Sequence, residues 1–283
     1  MKSIFVTGAT GNQGGAAARS LASNGFKVKA LVRDPSSSKA EALKKLDIEL
    51  VKGDLDDPSS YVHHLKGVDG VFGVLAFPLS YEKEIMQGKA LAIAAKENDI
   101  KHFIYSSVGF SDQKTGIPHF ESKYLIEKNL IETWVPYTIL RPVSFYENFQ
   151  LPDVKKRILK GKFVAPLSKN TVQQIISAED VGKVAAHIFQ NPDAFRNRTL
   201  NLAAEKMDQG QMAETFADVL RINVKHQKLP GLITRLVMGK YLHAMFKYVN
   251  DHGGVFAPDF ETVNKELPPM LTLREWIGTK FNQ

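Results

Sequence analysis

The chain has 283 residues, a formal charge of +7, 43% hydrophobic and 24% charged residues, and no cysteine. This is ordinary globular composition, long enough to bury a substantial core. The lack of cysteine excludes disulfides, thiolate metal sites and cysteine nucleophiles. No run of about 18 apolar residues marks a membrane span. Nor does an apolar leader with a small-residue cleavage site open the sequence. The expectation is a soluble, cytoplasmic protein with no membrane partner. A basic balance suits an anionic cofactor as well as nucleic acid. The densest basic group, Lys155-Lys156-Arg157 with Lys160 and Lys162, lies among apolar residues at helical spacing and reads as a solvated helix face. A nucleic-acid-binding protein is the least favoured reading, because no reader motif is present.

Along the first half, β-like runs alternate with helix-like stretches. Strands are expected at Ser3–Thr7, Lys27–Val32, Ile48–Lys52, Gly70–Leu75, His102–Ser106 and Tyr137–Leu140. Helices are expected between them, at Asn12–Ser23, Ser37–Leu46, Ser59–Leu65, Tyr81–Glu97 and Pro118–Glu132. This alternation predicts an α/β fold with a doubly wound, mostly parallel Rossmann sheet. After about residue 145 it breaks down. Val172–Ile176 and Thr199–Leu202 look like further strands, Thr215–Leu220 and Leu232–Tyr248 like helices. The expected division is a dinucleotide-binding domain of residues 1–150 plus about 172–203. A smaller, partly helical substrate or partner lobe takes about 151–171 plus 204–283.

The strongest motif is Thr7-Gly8-Ala9-Thr10-Gly11-Asn12-Gln13-Gly14-Gly15, between the first strand and an Ala-rich helix. Glycines let the backbone turn tightly and approach a pyrophosphate, whose charge then meets the free N–H groups of the helix N-terminus. Strand, glycine loop and helix in this order make the motif specific. The Gly-x-x-Gly-x-x-Gly spacing of Gly8, Gly11 and Gly14 resembles the extended and atypical branches of the short-chain dehydrogenase/reductase superfamily.

The second strand ends at Val32-Arg33-Asp34. An acidic residue there would bind the ribose diol of NAD(H), whereas an arginine suits the 2′-phosphate of NADP(H). Arg33 comes first and favours NADP(H); Asp34 keeps NAD(H) possible. Asp54 ends the third strand, as a neighbour of the adenine or as a turn residue. Ala76 and Phe77 close the fourth strand, where the nicotinamide ribose is expected.

Short-chain dehydrogenases carry a serine after the fifth strand and a Tyr-x-x-x-Lys pair on the next helix. Here Ser106-Ser107 follows the strand, and the helix carries His119-Phe120-Glu121-Ser122-Lys123. The lysine is in place and a histidine replaces the tyrosine, one turn away on the same helical face. The Lys123 cation lowers the pKa of His119, leaving a neutral imidazole and a poor proton donor. Ser107, His119 and Lys123 are the candidate catalytic residues; Lys123 also serves as a ribose ligand. No metal site is expected, since His63-His64 diverge on a helix.

The glycine loop, Arg33-Asp34-Pro35, Gly53-Asp54, His119-Phe120-x-x-Lys123 and Leu140-Arg141-Pro142-x-x-Phe145-Tyr146-Glu147-Asn148 together resemble the NmrA-like family of atypical short-chain dehydrogenases. Leu271-Thr272-Leu273-Arg274-Glu275-Trp276 extends the likeness to the C-terminal region. The resemblance implies cofactor contacts at Gly8, Thr10, Gly11, Asn12, Gln13, Arg33 and Lys123. It places Phe145, Tyr146 and Asn148 near the nicotinamide or the substrate cleft, with Phe145 and Asn148 as cofactor residues. It also implies one of two roles. The first is an NADP(H)-preferring redox sensor or regulator with weak or no turnover, acting on a regulatory protein partner. The second is an NADPH-dependent reductase of a small-molecule acceptor (a quinone, aldehyde or enone) using Lys123.

Overall fold

The computed structural model describes residues 2–75 and 80–281. The chain begins with β1 (Ser3–Val6), α1 (Asn12–Ser23), β2 (Lys27–Val32), α2 (Ser38–Lys44), β3 (Glu49–Lys52) and β4 (Gly70–Gly73). Next come α3 (Tyr81–Glu97), β5 (His102–Ser106), α4 (Pro118–Glu132) and β6 (Tyr137–Pro142). These runs form where the sequence alternates β-branched and aromatic residues with Ala-rich, helix-favouring stretches. Of the helices expected in the first half, Ser59–Leu65 is the one that forms no α-helix. Asp57 accepts from the backbone N–H of Ser59, ahead of Pro58, and caps a 3-10 turn over Pro58–Ser60; a second covers Val62–Leu65. Backbone bonds from Ser60 to Asp57, Tyr61 to Pro58 and His64 to Tyr61 close three-residue turns in place of an α-helical ladder.

After β6 the chain continues through β7 (Ser144–Phe145), α5 (Pro152–Leu159), β8 (Lys162–Ala165), β9 (Val172–Ile176), α6 (Ala178–Gln190), α7 (Pro192–Phe195) and β10 (Arg198–Leu202). Then follow β11 (Glu205–Asp208), α8 (Gln209–Leu220), β12 (Lys225–Lys228) and α9 (Gly231–His252), the last interrupted at Gly239, so that the helix expected over Leu232–Tyr248 forms as two pieces. The central sheet has seven strands in the order β10-β6-β5-β4-β1-β2-β3. The pairs from β3 across to β6 are parallel. Strand order reverses between β1 and β4, which puts the switch point, and the ligand crevice of such sheets, at their carboxyl ends.

The chain divides into two compact units. The first comprises residues up to Pro142, Ala178–Asn201 and Lys265–Pro268; the second comprises Val143–Ser177, Leu202–Asn264 and the residues from Pro269 onward. One core of the first unit gathers Phe5, Leu31, Val71, Leu91, Phe103, Tyr105 and Ile126. The second unit holds a three-stranded sheet in the order β11-β9-β7 and a parallel β8–β12 pair. Its core contains Tyr146, Phe163, Ile175, Met212, Phe216, Trp276 and Phe281. Among the described residues no helix is long and apolar enough to cross a membrane.

Helices α3 and α4 lie side by side because α3 has no side chain at Gly88. A Cβ there would fall 2.6 Å from Ile126 Cγ2 and 2.7 Å from its Cγ1. Ile126 is 2% exposed, and a β-branched side chain on a helix has little rotamer freedom to yield. Gly88→Ala gains about 1 kcal/mol of helix propensity but overpacks the contact, at a cost of about 1–3 kcal/mol. We expect a net loss of stability, seen as a lower urea midpoint with an unchanged m-value; an unchanged or higher midpoint would show that the helices can part freely.

Candidate dinucleotide site

The glycine loop turns sharply after β1. Gly8 has φ +61°, a left-handed conformation that costs a residue with Cβ. Its carbonyl accepts from Gly11 N–H at 2.8 Å. The Thr7 hydroxyl donates to Val74 O at 2.8 Å and accepts from Val74 N–H at 2.9 Å, fixing the loop's base to the end of β4. Gly14 is where helix and loop touch: a Cβ there would lie 2.3 Å from Gly8 O and 2.5 Å from Thr7 O. Gly11 caps α1 with no side-chain hydrogen bond, and the first turn carries no acidic residue. Thr10 and Gln13 are half-buried and Asn12 is exposed. Gln13 Oε1 accepts from the Ser106 hydroxyl at 2.6 Å, tying the loop to the end of β5. The result is a helix N-terminus with no side-chain cap among the described residues and no acidic residue in its first turn to repel an anion.

Arg33 follows β2, exposed, and forms no ion pair among the described residues. Asp34 is committed to a turn. Its Oδ1 accepts from both the backbone N–H and the hydroxyl of Ser36, at 2.9 and 2.6 Å. Those bonds lower its pKa. Asp54 is half-buried and likewise shapes a turn, accepting from Asp56 N–H at 3.0 Å. Ala76 and Phe77 lie outside the described residues.

The catalytic candidates stand on β5 and α4. Lys123 Nζ lies 2.9 Å from Glu84 Oε1, with the two side chains 13% and 6% exposed. The second oxygen of Glu84 accepts from the Ser122 hydroxyl. His119 is lowered to about 4, by burial first and by the Lys123 cation second, with Glu84 opposing. The direction follows from the sequence; the larger cause, burial, does not. Its ring meets Phe120 edge-on at 4.7 Å. The buried Ser107 hydroxyl donates to Glu127 Oε1, as does that of Ser111 at 2.8 Å. Arg141 completes this network, with Nη2 2.6 Å and Nε 3.1 Å from the two Glu127 oxygens and Nη1 2.7 Å from Asp112.

Glu84 and Glu127 are the site residues that the sequence reading missed. Each falls on the buried stripe of its helix: Glu84 in phase with Gly88, Leu91 and Ala95, Glu127 in phase with Phe120 and Leu130. An acid in the apolar phase is the sequence mark of a paired buried charge. Phe145 and Asn148 belong to the second unit, Phe145 half-buried beside Ile176 and Asn148 exposed. Tyr146 is buried there, its hydroxyl 2.9 Å from Glu205 Oε1 and its ring 5.5 Å from that of Trp276. Among the described residues no group of three or more His, Cys, Asp or Glu could hold a metal ion.

Sheet order and glycine loop define a Rossmann-type α/β protein. The NmrA-like family matches residues 1–277, and the chain belongs to it. An NmrA-like family domain-containing protein of Dictyostelium discoideum is 27% identical over 269 residues, covering 89% of each chain. The fold matches the Citrobacter sp. triphenylmethane reductase complexed with NADP(H), with a TM-score of 0.83 and 22% identity over 96% of this chain and 98% of that one. It also matches NmrA, a negative transcriptional regulator in complex with NAD, with a TM-score of 0.83 and 22% identity over 99% and 95%. At that identity the two structures speak for the fold alone.

Histidine titration checks the site's electrostatics. His102 is also lowered to about 4, chiefly by burial and then by the Arg196 cation. Both histidines therefore bind a proton in the unfolded chain, near 6.5, before they do in the folded one. The unfolded state holds more protons between about 6.5 and 4, so stability is intact above that window and falls as pH drops through it. Imidazole NMR should show both residues neutral at pH 6; a His119 midpoint near 6.5 would contradict the buried, cation-facing environment.

Proposed function

We propose that the protein binds a nicotinamide dinucleotide, NADP(H) in preference to NAD(H), and works as a redox or nucleotide sensor with weak or no dehydrogenase turnover. The loop fits a pyrophosphate: the approach at Gly14 leaves no room for a side chain, and the α1 N-terminus is uncapped. Gly8, Thr10, Gly11, Asn12, Gln13 and Gly14 would hold it, and Asp54 would lie toward the adenine. Arg33, exposed and without an ion pair, would meet the 2′-phosphate, while the turn at Ser36 occupies one oxygen of Asp34. Similar structures hold NADP(H) in one case and NAD in another. Ala76, Phe77, Phe145 and Asn148 complete the proposed contact set on the family pattern. When bound, the nicotinamide supplies hydride chemistry.

One observation carries the choice of sensor over enzyme. The position of the usual proton donor holds His119, whose imidazole is neutral near pH 7. The Ser107 hydroxyl donates its hydrogen bond to Glu127. A hydride acceptor that becomes an alkoxide would find no ready acid in either. The reading is of a cytoplasmic protein with a regulatory protein partner rather than nucleic acid or membrane.

A second reading, a reductase of a quinone, aldehyde or enone, draws on Lys123. Its ammonium has three donors, and Glu84 takes one. NADPH absorbance followed across a panel of such acceptors separates the two. The sensor shows saturable NADPH binding and no acceptor-dependent oxidation; saturable oxidation that vanishes in Lys123→Ala establishes the reductase. For the cofactor itself, Arg33→Ala should raise the Kd for NADPH about 10- to 100-fold while leaving that for NADH within about twofold, as expected for a lost charged hydrogen bond. Equal weakening of both nucleotides would remove Arg33 from the phosphate.

A further inference from the structure

We propose that Glu84 is the positioning residue of this site, acting on the dinucleotide through Lys123. The inference rests on the reading of Lys123 as a residue that faces the cofactor. Lysine is a flexible point charge on a long stem, and α4 alone does not fix where its ammonium sits. Glu84 does. It comes from the neighbouring helix, is nearly buried, and divides its two oxygens between the Lys123 ammonium at 2.9 Å and the Ser122 hydroxyl.

The clamp is set by helix packing. Gly88 lies one turn after Glu84 on α3, and Ile126 one turn after Ser122 on α4. The close contact at Gly88 therefore holds the preceding turns at hydrogen-bonding distance. Ser122 removes the remaining freedom of the carboxylate, because it ties down the oxygen that Lys123 leaves. Two consecutive residues of α4 thus grip one acid of α3, and the ammonium keeps two donors for ribose hydroxyls.

Glu84 also balances the charge of Lys123 next to His119. Among the charges acting on that imidazole are Lys123 from its own helix and Glu84 from α3, with opposite signs. Removing the Glu84 charge leaves the cation unopposed.

The test is a double-mutant cycle read by NADPH titration, with His119 followed by NMR in the same proteins. Glu84→Gln removes the charge but keeps the shape and an acceptor oxygen for the Lys123 ammonium, which the truncation in Glu84→Ala would not. Glu84→Gln should weaken NADPH binding about tenfold. Lys123→Met should weaken it as well. The double variant should bind no worse than Lys123→Met, because Glu84 has then lost the group it acts through. The His119 midpoint in Glu84→Gln should fall further below its starting value. A merely structural role gives the opposite sign: a loosened site hydrates His119 and raises its midpoint toward 6.5. Unchanged NADPH binding by Glu84→Gln, additive losses in the cycle, or a raised His119 midpoint each overturn the proposal. NADPH binding at full strength by Lys123→Met would instead retire the cofactor role of Lys123. The direction of the His119 midpoint would then still decide whether Glu84 governs the ammonium.

Discussion

The approach of α1 to the loop before it is the constraint from which the rest of the first unit follows. The carbonyl oxygens of Thr7 and Gly8 stand where the Cβ of residue 14 would be. With that space closed by backbone, α1 starts directly behind β1, its N-terminus at the carboxyl end of the sheet. The Thr7 hydroxyl, bonded both ways to Val74, then fixes β1 to the end of β4 across the point where strand order reverses. An uncapped helix end is ordinarily a cost, since its N–H groups go without protein partners. Here a threonine or aspartate cap is absent where either would have been easy to encode, and an anion is the group that best compensates.

A second small-residue contact governs the other side of the site. Without a side chain at Gly88, α3 comes close enough to α4 for a short acid to reach across. A glycine inside a helix is a weakness by propensity alone. The compensation is tertiary: Ile126 packs into the gap, and the turn before it acquires a buried ion pair. Such pairs contribute little net stability once desolvation is counted. The geometry they impose on a lysine is the larger effect.

Much of this was legible in the sequence, and the limits have physical reasons. The bounds of α1, α3 and α4 match the apolar periodicity and the cap residues. So do β2, β5 and β9, where apolar and β-branched runs end at turn residues. The segment at Ser59–Leu65 has helical composition, yet local capping by Asp57 converts it into two 3-10 turns. The change of unit at Pro142, rather than near residue 150, follows from β7: Ser144 and Phe145 pair with β9, which sequence spacing does not reveal. The lowered pKa of His119 was legible in direction from the His-x-x-x-Lys spacing, but its main cause is burial, which depends on neighbours outside the motif. Glu84 and Glu127 were hidden because charged residues on helices usually face water. Only their phase with the apolar stripe sets them apart.

The two buried glutamates show how the site's serines are employed. Tyr105, on β5, feels both acids; burial and then the charges of Glu84 and Glu127 hold its hydroxyl far above the ordinary range. Each acid is neutralised by a cation of a different kind. Arg141 meets both oxygens of Glu127 with its planar fork, an arrangement that leaves the pair rigid. Lys123 meets one oxygen of Glu84 and keeps donors in reserve. Serine hydroxyls supply the remaining bonds, Ser107 and Ser111 for Glu127 and Ser122 for Glu84. Ser107, a candidate catalytic serine on the sequence pattern, is thus bonded to a buried carboxylate. Lys123 keeps donors beyond the one that Glu84 takes, and that one is held by an acid from the neighbouring helix.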